Sequence, residues 1–361
     1  MSASSRRSVL RLGGTLSLGL VATSVAGAAR ARLPARTTSL EAAHPNVTEA
    51  SMIVAGPADA SAGLWAQLLA SPLAGALHPG TPLAISAIGG RDGVTGANAF
   101  EALTNPDGAT ALLVPGAAAM AWLAGDPRVH FDAGNWVPAL TSFGSAMVIG
   151  GNARPTLPLR VAASTASGVE LAALLGLSLL GRNPSPVFGL ADPQDARAAL
   201  LAGRVDAILL HGRDVPARGA ALSHEANGIR PLFSLGADID AAARDPALPD
   251  VPTLPELYSA GSGQAPTGPL FEAWRATAGA ARLDIALVLQ PLTPAALVAL
   301  WRTACASAVT TPGLSDASQA AGLTPLPAPD CVAALSRIVI GENTLLALRR
   351  WLAGRTDWRP A

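Results

Sequence analysis

The sequence predicts an α/β protein made of two units, and three observations carry that prediction. Short apolar runs bounded by Gly and Pro alternate with longer runs whose apolar residues recur at helical spacing, the pattern of strands followed by covering helices. The chain has 361 residues, 50% hydrophobic and only 14% charged, which is enough apolar material for more than one core. Near Trp136 the pattern changes: two strand-like runs follow each other closely, and a second α/β series starts after them. Each unit is therefore expected to be a mostly parallel sheet with helices on both faces.

The elements follow in order. Residues 51–55 read as a strand that stops at Gly56-Pro57, and 64–73 as the helix after it. Residues 82–88 form a second strand before Gly89-Gly90, and 110–114 a third, broken by Pro115-Gly116 ahead of the small-residue run 117–123. "WVPALTSF" and "AMVIGG", between 136 and 151, read as two close strands. The second series comprises a strand at 159–163, helices at 169–180 and 193–201, and strands at 207–210 and 231–235. In 247–257, Pro249, Pro252 and Pro255 fall three apart, which predicts a stiff, mostly exposed polyproline-like strap that excludes helix. Beyond the Gly-rich residues 261–268, a strand at 285–289 precedes a helix at 294–306, and the run 333–352 ends rich in arginine.

Composition narrows the function. Lys+Arg and Asp+Glu both count 25, a formal net charge of +0, which argues against nucleic acid or an acidic membrane as partner and leaves a small molecule. Lysine is absent, which excludes Schiff-base chemistry and Walker-type phosphate binding. The five histidines, His44, His78, His130, His211 and His224, lack metal-site spacing, and no G-x-S-x-G elbow occurs, so no enzyme, metal or cofactor is expected. Cys305 and Cys331 fit a disulfide or two buried apolar thiols equally well.

The N-terminus, with Arg6-Arg7, a modest apolar segment and then Ala26-Gly27-Ala28 and Ala29-Arg30-Ala31, reads as a cleaved export signal of twin-arginine type over 1–31. A periplasmic location is expected. The alternative, a membrane anchor, is weakened by Gly13, Gly14, Thr15, Ser17 and Gly19. Residues 32–50 form a loose lead-in.

Several ordered motifs carry a family resemblance. "LPDVPT" at 248–253 followed by Glu256, "NPDGATALLV" at 105–114, "FDAGNWVPAL" at 131–140, "LLAGRVDAIL" at 200–209 and "IRPLFSLG" at 229–236 resemble those of the substrate-binding proteins of tripartite tricarboxylate transporters, the Bug family. The likeness runs from Ile53 to about Leu348. It implies a two-lobed periplasmic binding fold of the second type, with 51–140 and 284–361 in lobe 1 and 141–283 in lobe 2. It further implies a monomer that holds a small organic carboxylate in the cleft and delivers it to integral membrane permease subunits. A ligand sensor of the same fold that signals to a membrane protein is the alternative.

Ligands of open α/β sheets bind at the loops leading from strand ends into helices. In the first such loop, 57–63, the candidates are Ser61, Ala62 and Gly63, where N–H groups and the positive helix end favour an anion. Relatives carry consecutive glycines and then an Asp near Gly63; this loop has no carboxylate there. In 89–96 the candidates are Gly90, Arg91 and Gly93, with Arg91 either clamping a carboxylate or pairing with Asp92. Ala117, and Ser164, Thr165 and Ser167 ahead of the helix from Val169, offer N–H groups and hydroxyls, although Ser and Thr also serve simply as N-caps. Phe188 is a lesser candidate, and Asp206 is assigned to orienting loops.

Overall fold

The computed structural model describes residues 49–356 and 358–360, apart from 78–79, 81, 104–106, 152–157 and 238–241. The predicted export signal, nearly all of the lead-in, His44 and His78 lie outside the described residues.

A curled, mixed sheet of ten strands is built around one long strand, β4 (Val137–Gly150). The first half of β4 pairs antiparallel with β9 (Leu283–Leu289) and β10 (Leu323–Pro327); its second half pairs antiparallel with β7 (Ala207–Gly212) and β8 (Arg230–Ser234). The parallel ladders lie outside this centre. On one side β1 (Ser51–Ala55) joins β2 (Ala84–Ile88) and β3 (Thr110–Val114), and on the other β5 (Leu159–Ala162) joins β6 (Pro184–Val187) and β7. β3 meets β9 antiparallel, which completes the order β2-β1-β3-β9-β4-β7-β5-β6.

Where the sequence predicts two close strands, the chain runs on as one. Nothing in "SFGS" closes a turn, and Gly144 sits in the ladder because a Cβ there would lie 2.8 Å from the Gly212 carbonyl oxygen. β6 and β10, which carry Pro184 and Pro186, and Pro325 and Pro327, escape the sequence pattern because prolines weaken a strand reading; each forms a ladder with a single partner, where a missing N–H is tolerated.

β3 illustrates how the core forms. Ala111 and Leu113 pack toward α1 (Ser61–Leu77) and α9 (Ala295–Val309), while Leu112 and Val114 pack toward α2 (Val94–Glu101), α3 (Gly116–Ala124), α8 (Pro269–Arg282) and α12 (Glu342–Thr356). A strand covered on both faces reads as an unbroken apolar run, which is why "TALLV" is legible in the sequence. α4 (Leu171–Leu179) also joins the second of these clusters, and α5 (Pro193–Leu201) and α6 (Val215–Glu225) enclose a third around Met147 and Ile149.

The proline strap is corrected in two respects. Leu248, Val251 and Leu254 are buried rather than exposed, and the segment makes successive turns, with the Leu248 N–H donating to Asp245 and the Val251 N–H to Leu248. Its end is helical: α7 (Leu254–Ser262) starts with Pro255 in its first turn, where no N–H is needed, and Thr253 and Glu256 form a reciprocal capping box. Both cysteines are buried free thiols, in α9 and α11 (Asp330–Ser336), and burial pushes the Cys331 thiol up to about 11.

Candidate functional site

The strand-end loops of the first half meet one another. The Gly56 N–H donates to the Ile88 carbonyl oxygen, and Arg91 pairs with Asp59, joining the β1–α1 and β2–α2 loops. Arg91 thus engages neither Asp92 nor the interior; both members of its pair are about two-thirds exposed. Asp92 instead accepts from Arg128 at 2.7 Å. Gly93 adopts φ +74° and packs against Pro115, where a Cβ would come within 2.6 Å of the ring, so the β2–α2 and β3–α3 loops touch only because that position is glycine.

Helix α1 begins at Ser61, so Ser61, Ala62 and Gly63 lie in its first turn rather than in the loop ahead of it. Gly63 has no room for a side chain, since a Cβ would sit 2.3 Å from the Ala58 carbonyl oxygen. The Ser61 hydroxyl donates to the Asp284 carboxylate at 2.7 Å, and the Trp65 indole donates to the same group at 2.6 Å. A carboxylate from β9, more than two hundred residues away, thus stands at the first turn of α1. Sequence reasoning starts that strand at Ile285 and so misses Asp284; the available signal is a lone acid at the head of the apolar run "LDIALVL".

The second half presents its own loops. The Ser164 hydroxyl donates to Glu170 at 2.8 Å, and its carbonyl oxygen accepts the Gly189 N–H at 3.2 Å, which places the exposed Phe188 turn beside it. Loss of solvation raises the Glu170 pKa, against hydrogen bonds from its own N–H and from Ser164. Thr165 and Ser167 lie 3.3 Å apart, oxygen to oxygen, so this segment is more than an N-cap: its hydroxyls address Glu170 and each other.

Contacts also run from residues 141–283 to the rest of the chain near these loops. The Ser167 hydroxyl donates to Asp126 at 2.7 Å, beyond the end of α3. Burial pulls the Asp126 pKa up, but hydrogen bonds from the Arg128 side chain and backbone and from Ser167 outweigh it and hold the carboxyl below its usual range. At the centre, a Cβ on Gly212 would lie 3.9 Å from an Asp284 carboxylate oxygen, so the end of β7 faces the Ser61–Trp65–Asp284 cluster. Ala117, half-buried in the first turn of α3, sits next to Gly116, whose Cβ would collide with the Ala280 and Leu283 carbonyl oxygens at 2.2 and 2.4 Å. Asp206 is bound by Arg160 on the second half and takes no part in this meeting of loops. His211, on β7, is held neutral, its pKa pushed down to about 4 by burial and then by the Arg218 charge. Among the described residues, no group of three or more His, Cys, Asp or Glu side chains could hold a metal ion.

No family model matches the chain, and no curated protein does either. Its fold is that of solved solute-binding proteins. A TctC solute-binding protein from Polaromonas, without ligand, is similar with a TM-score of 0.58 at 17% identity, over 86% of this chain and 98% of that one. MatC from Rhodopseudomonas palustris with bound malate has a TM-score of 0.53 at 18% identity, over 84% of this chain and 98% of the other. An R. palustris protein with adipate has a TM-score of 0.53 at 17% identity, over 87% and 98%.

Proposed function

We propose that the protein is a divergent solute-binding protein of the tripartite tricarboxylate type. It is exported to the periplasm, holds one small organic carboxylate between residues 51–140 with 284–361 on one side and 141–283 on the other, and delivers it to integral membrane permease subunits without chemical change. The observation that supports this reading is that loops of 141–283 come up against those of the rest of the chain, Gly212 facing Asp284 and Ser167 reaching Asp126. The fold neighbours carrying malate and adipate support the ligand class.

In this reading the ligand carboxylates take N–H groups at Gly90, Ala117, Thr165 and Ser167, while Gly93 and the Ser164 and Ser167 hydroxyls, engaged with Gly90, Glu170 and Asp126, shape the space around them, with Phe188 at the rim. Asp284 already engages Ser61 and Trp65, so a ligand approaching α1 meets a negative charge there; a hydroxyl or ammonium donor suits that end and a second carboxylate does not. A ligand touching both halves stabilises their closed arrangement because only there does it make both sets of contacts.

Titration calorimetry with malate, adipate, succinate, citrate and benzoate tests the proposal. Saturable one-to-one binding of at least one is expected, and a folded protein that binds none of them overturns it. Arg91→Ala divides the remaining question: a loss of about tenfold in affinity assigns Arg91 a carboxylate contact, and an unchanged affinity leaves it as the surface partner of Asp59.

A further inference from the structure

The connection from β7 to α6 is two residues long, Arg213 and Asp214. It lies where a strand of 141–283 gives way to a helix, the position at which open α/β sheets bind their ligands. None of the contacts considered so far comes from it, yet it holds an arginine that no protein group takes up.

The backbone of Arg213 is fixed on both sides. Before it, Gly212 adopts φ +78° and faces Asp284, its Cβ position 3.9 Å from that carboxylate. After it, Asp214 adopts φ +54°, uncommon for a residue with a side chain, and its N–H donates to the Ala321 carbonyl oxygen at 3.2 Å, just beyond α10 (Pro312–Ala320). Arg218, in α6, donates to the carbonyl oxygens of His211 and Arg213 at 3.0 and 3.2 Å and so ties the segment back to its own half. Arg213 therefore stands where residues 141–283 come up against β9 and the end of α10.

Its side chain is not fixed in this way. The Nε is buried and has no hydrogen-bond partner, and the guanidinium enters no ion pair among the described residues. The other arginines around these loops are committed: Arg91 to Asp59, Arg128 to Asp126 and Asp92, Arg160 to Asp206, and Arg218 to its two carbonyl oxygens. A buried guanidinium N–H without an acceptor is unfavourable, and arginine does not relieve the cost by giving up its proton. A carboxylate is the acceptor whose two oxygens match its fork of donors. The residue as a whole is half-buried rather than sealed.

We infer that Arg213 is a specificity-determining residue of the proposed site, its guanidinium receiving one carboxylate of the organic acid. The assignment rests on the solute-binding reading and orients the acid within it. The carboxylate end lies at the β7–α6 connection, and the other end approaches α1.

The test titrates malate, adipate, succinate, citrate and benzoate into the wild type, Arg213→Met and Arg213→Lys by calorimetry at low and high salt, with thermal melts of the unliganded proteins. For each acid that the wild type binds, Arg213→Met, which keeps length and removes charge, should weaken affinity by at least about tenfold, and Arg213→Lys, which keeps charge without the fork, should lose less. Salt should weaken binding by the wild type more steeply than binding by Arg213→Met. Removing a group that has no partner should leave the melting temperature unchanged or raised, whereas a structural role would lower it. A loss under about tenfold for every acid bound, or an Arg213→Met protein that melts well below the wild type, overturns the assignment and leaves the solute-binding reading standing. A folded wild type that binds none of the five acids overturns both.

Discussion

Asp284 gives the sharpest prediction, because neutralising it should move stability and anion affinity in opposite directions. Its carboxylate accepts the Ser61 hydroxyl at 2.7 Å and the Trp65 indole at 2.6 Å. In Asp284→Asn both become hydrogen bonds to a neutral amide, and charge-assisted bonds are roughly twice as strong as neutral ones, so a stability loss of about 2 kcal/mol is expected. Anion affinity should rise. The space beside Asp284 is narrow, since Gly212 stands opposite with its Cβ position 3.9 Å from the carboxylate. A ligand carboxylate held about 8 Å away is repelled by ~2 kcal/mol at an effective dielectric of 20, and salt screening reduces that to about a tenfold effect on affinity. Urea denaturation measures the first quantity. Malate calorimetry at low and high salt measures the second, and the gain should shrink as salt rises. A folded Asp284→Asn protein whose malate affinity is unchanged or weaker would refute the reasoning, because it would place the ligand away from Asp284.

Three further predictions concern the scaffold that sets these groups. Gly116→Ala drives a Cβ against two backbone carbonyl oxygens at 2.2 and 2.4 Å and should cost about 3 kcal/mol in urea unfolding; a change under about 0.5 kcal/mol would show that α3 can shift off α8. Ser167→Ala removes the donor to buried Asp126 and should cost ~1–2 kcal/mol at neutral pH, with the difference shrinking in acid as Asp126, whose pKa is lowered in the fold, becomes protonated; a pH-independent difference would count against that account. Glu170 titrates with the opposite sign. Its folded pKa is raised above 4.5, so its contribution is fully present below that pH and is lost as pH rises through the folded value; Glu170→Gln should therefore gain on the wild type between pH 4 and pH 7, and a constant gap between their unfolding free energies would contradict this.

Legibility from sequence followed the physics of each segment. β1, β3 and α5 are read at or very near their observed bounds, since their apolar periodicity and Gly or Pro boundaries are local signals. α6, α7 and α8 pass unnoticed because proline and glycine near their starts mask helices whose prolines occupy the permissive first turn. The candidate loops are also legible, as each lies where a strand gives way to a helix.

By itself the sequence determined the α/β class, the order of most strands and helices, and the small-residue loops at the strand ends, because these depend on neighbours within a few positions. Tertiary structure alone decided that β4 is one strand serving both halves, that Asp284 stands at the start of α1, and that Ser167 reaches Asp126. Those pairings join residues tens to hundreds of positions apart, and no local propensity encodes a distance that only the folded path of the backbone sets.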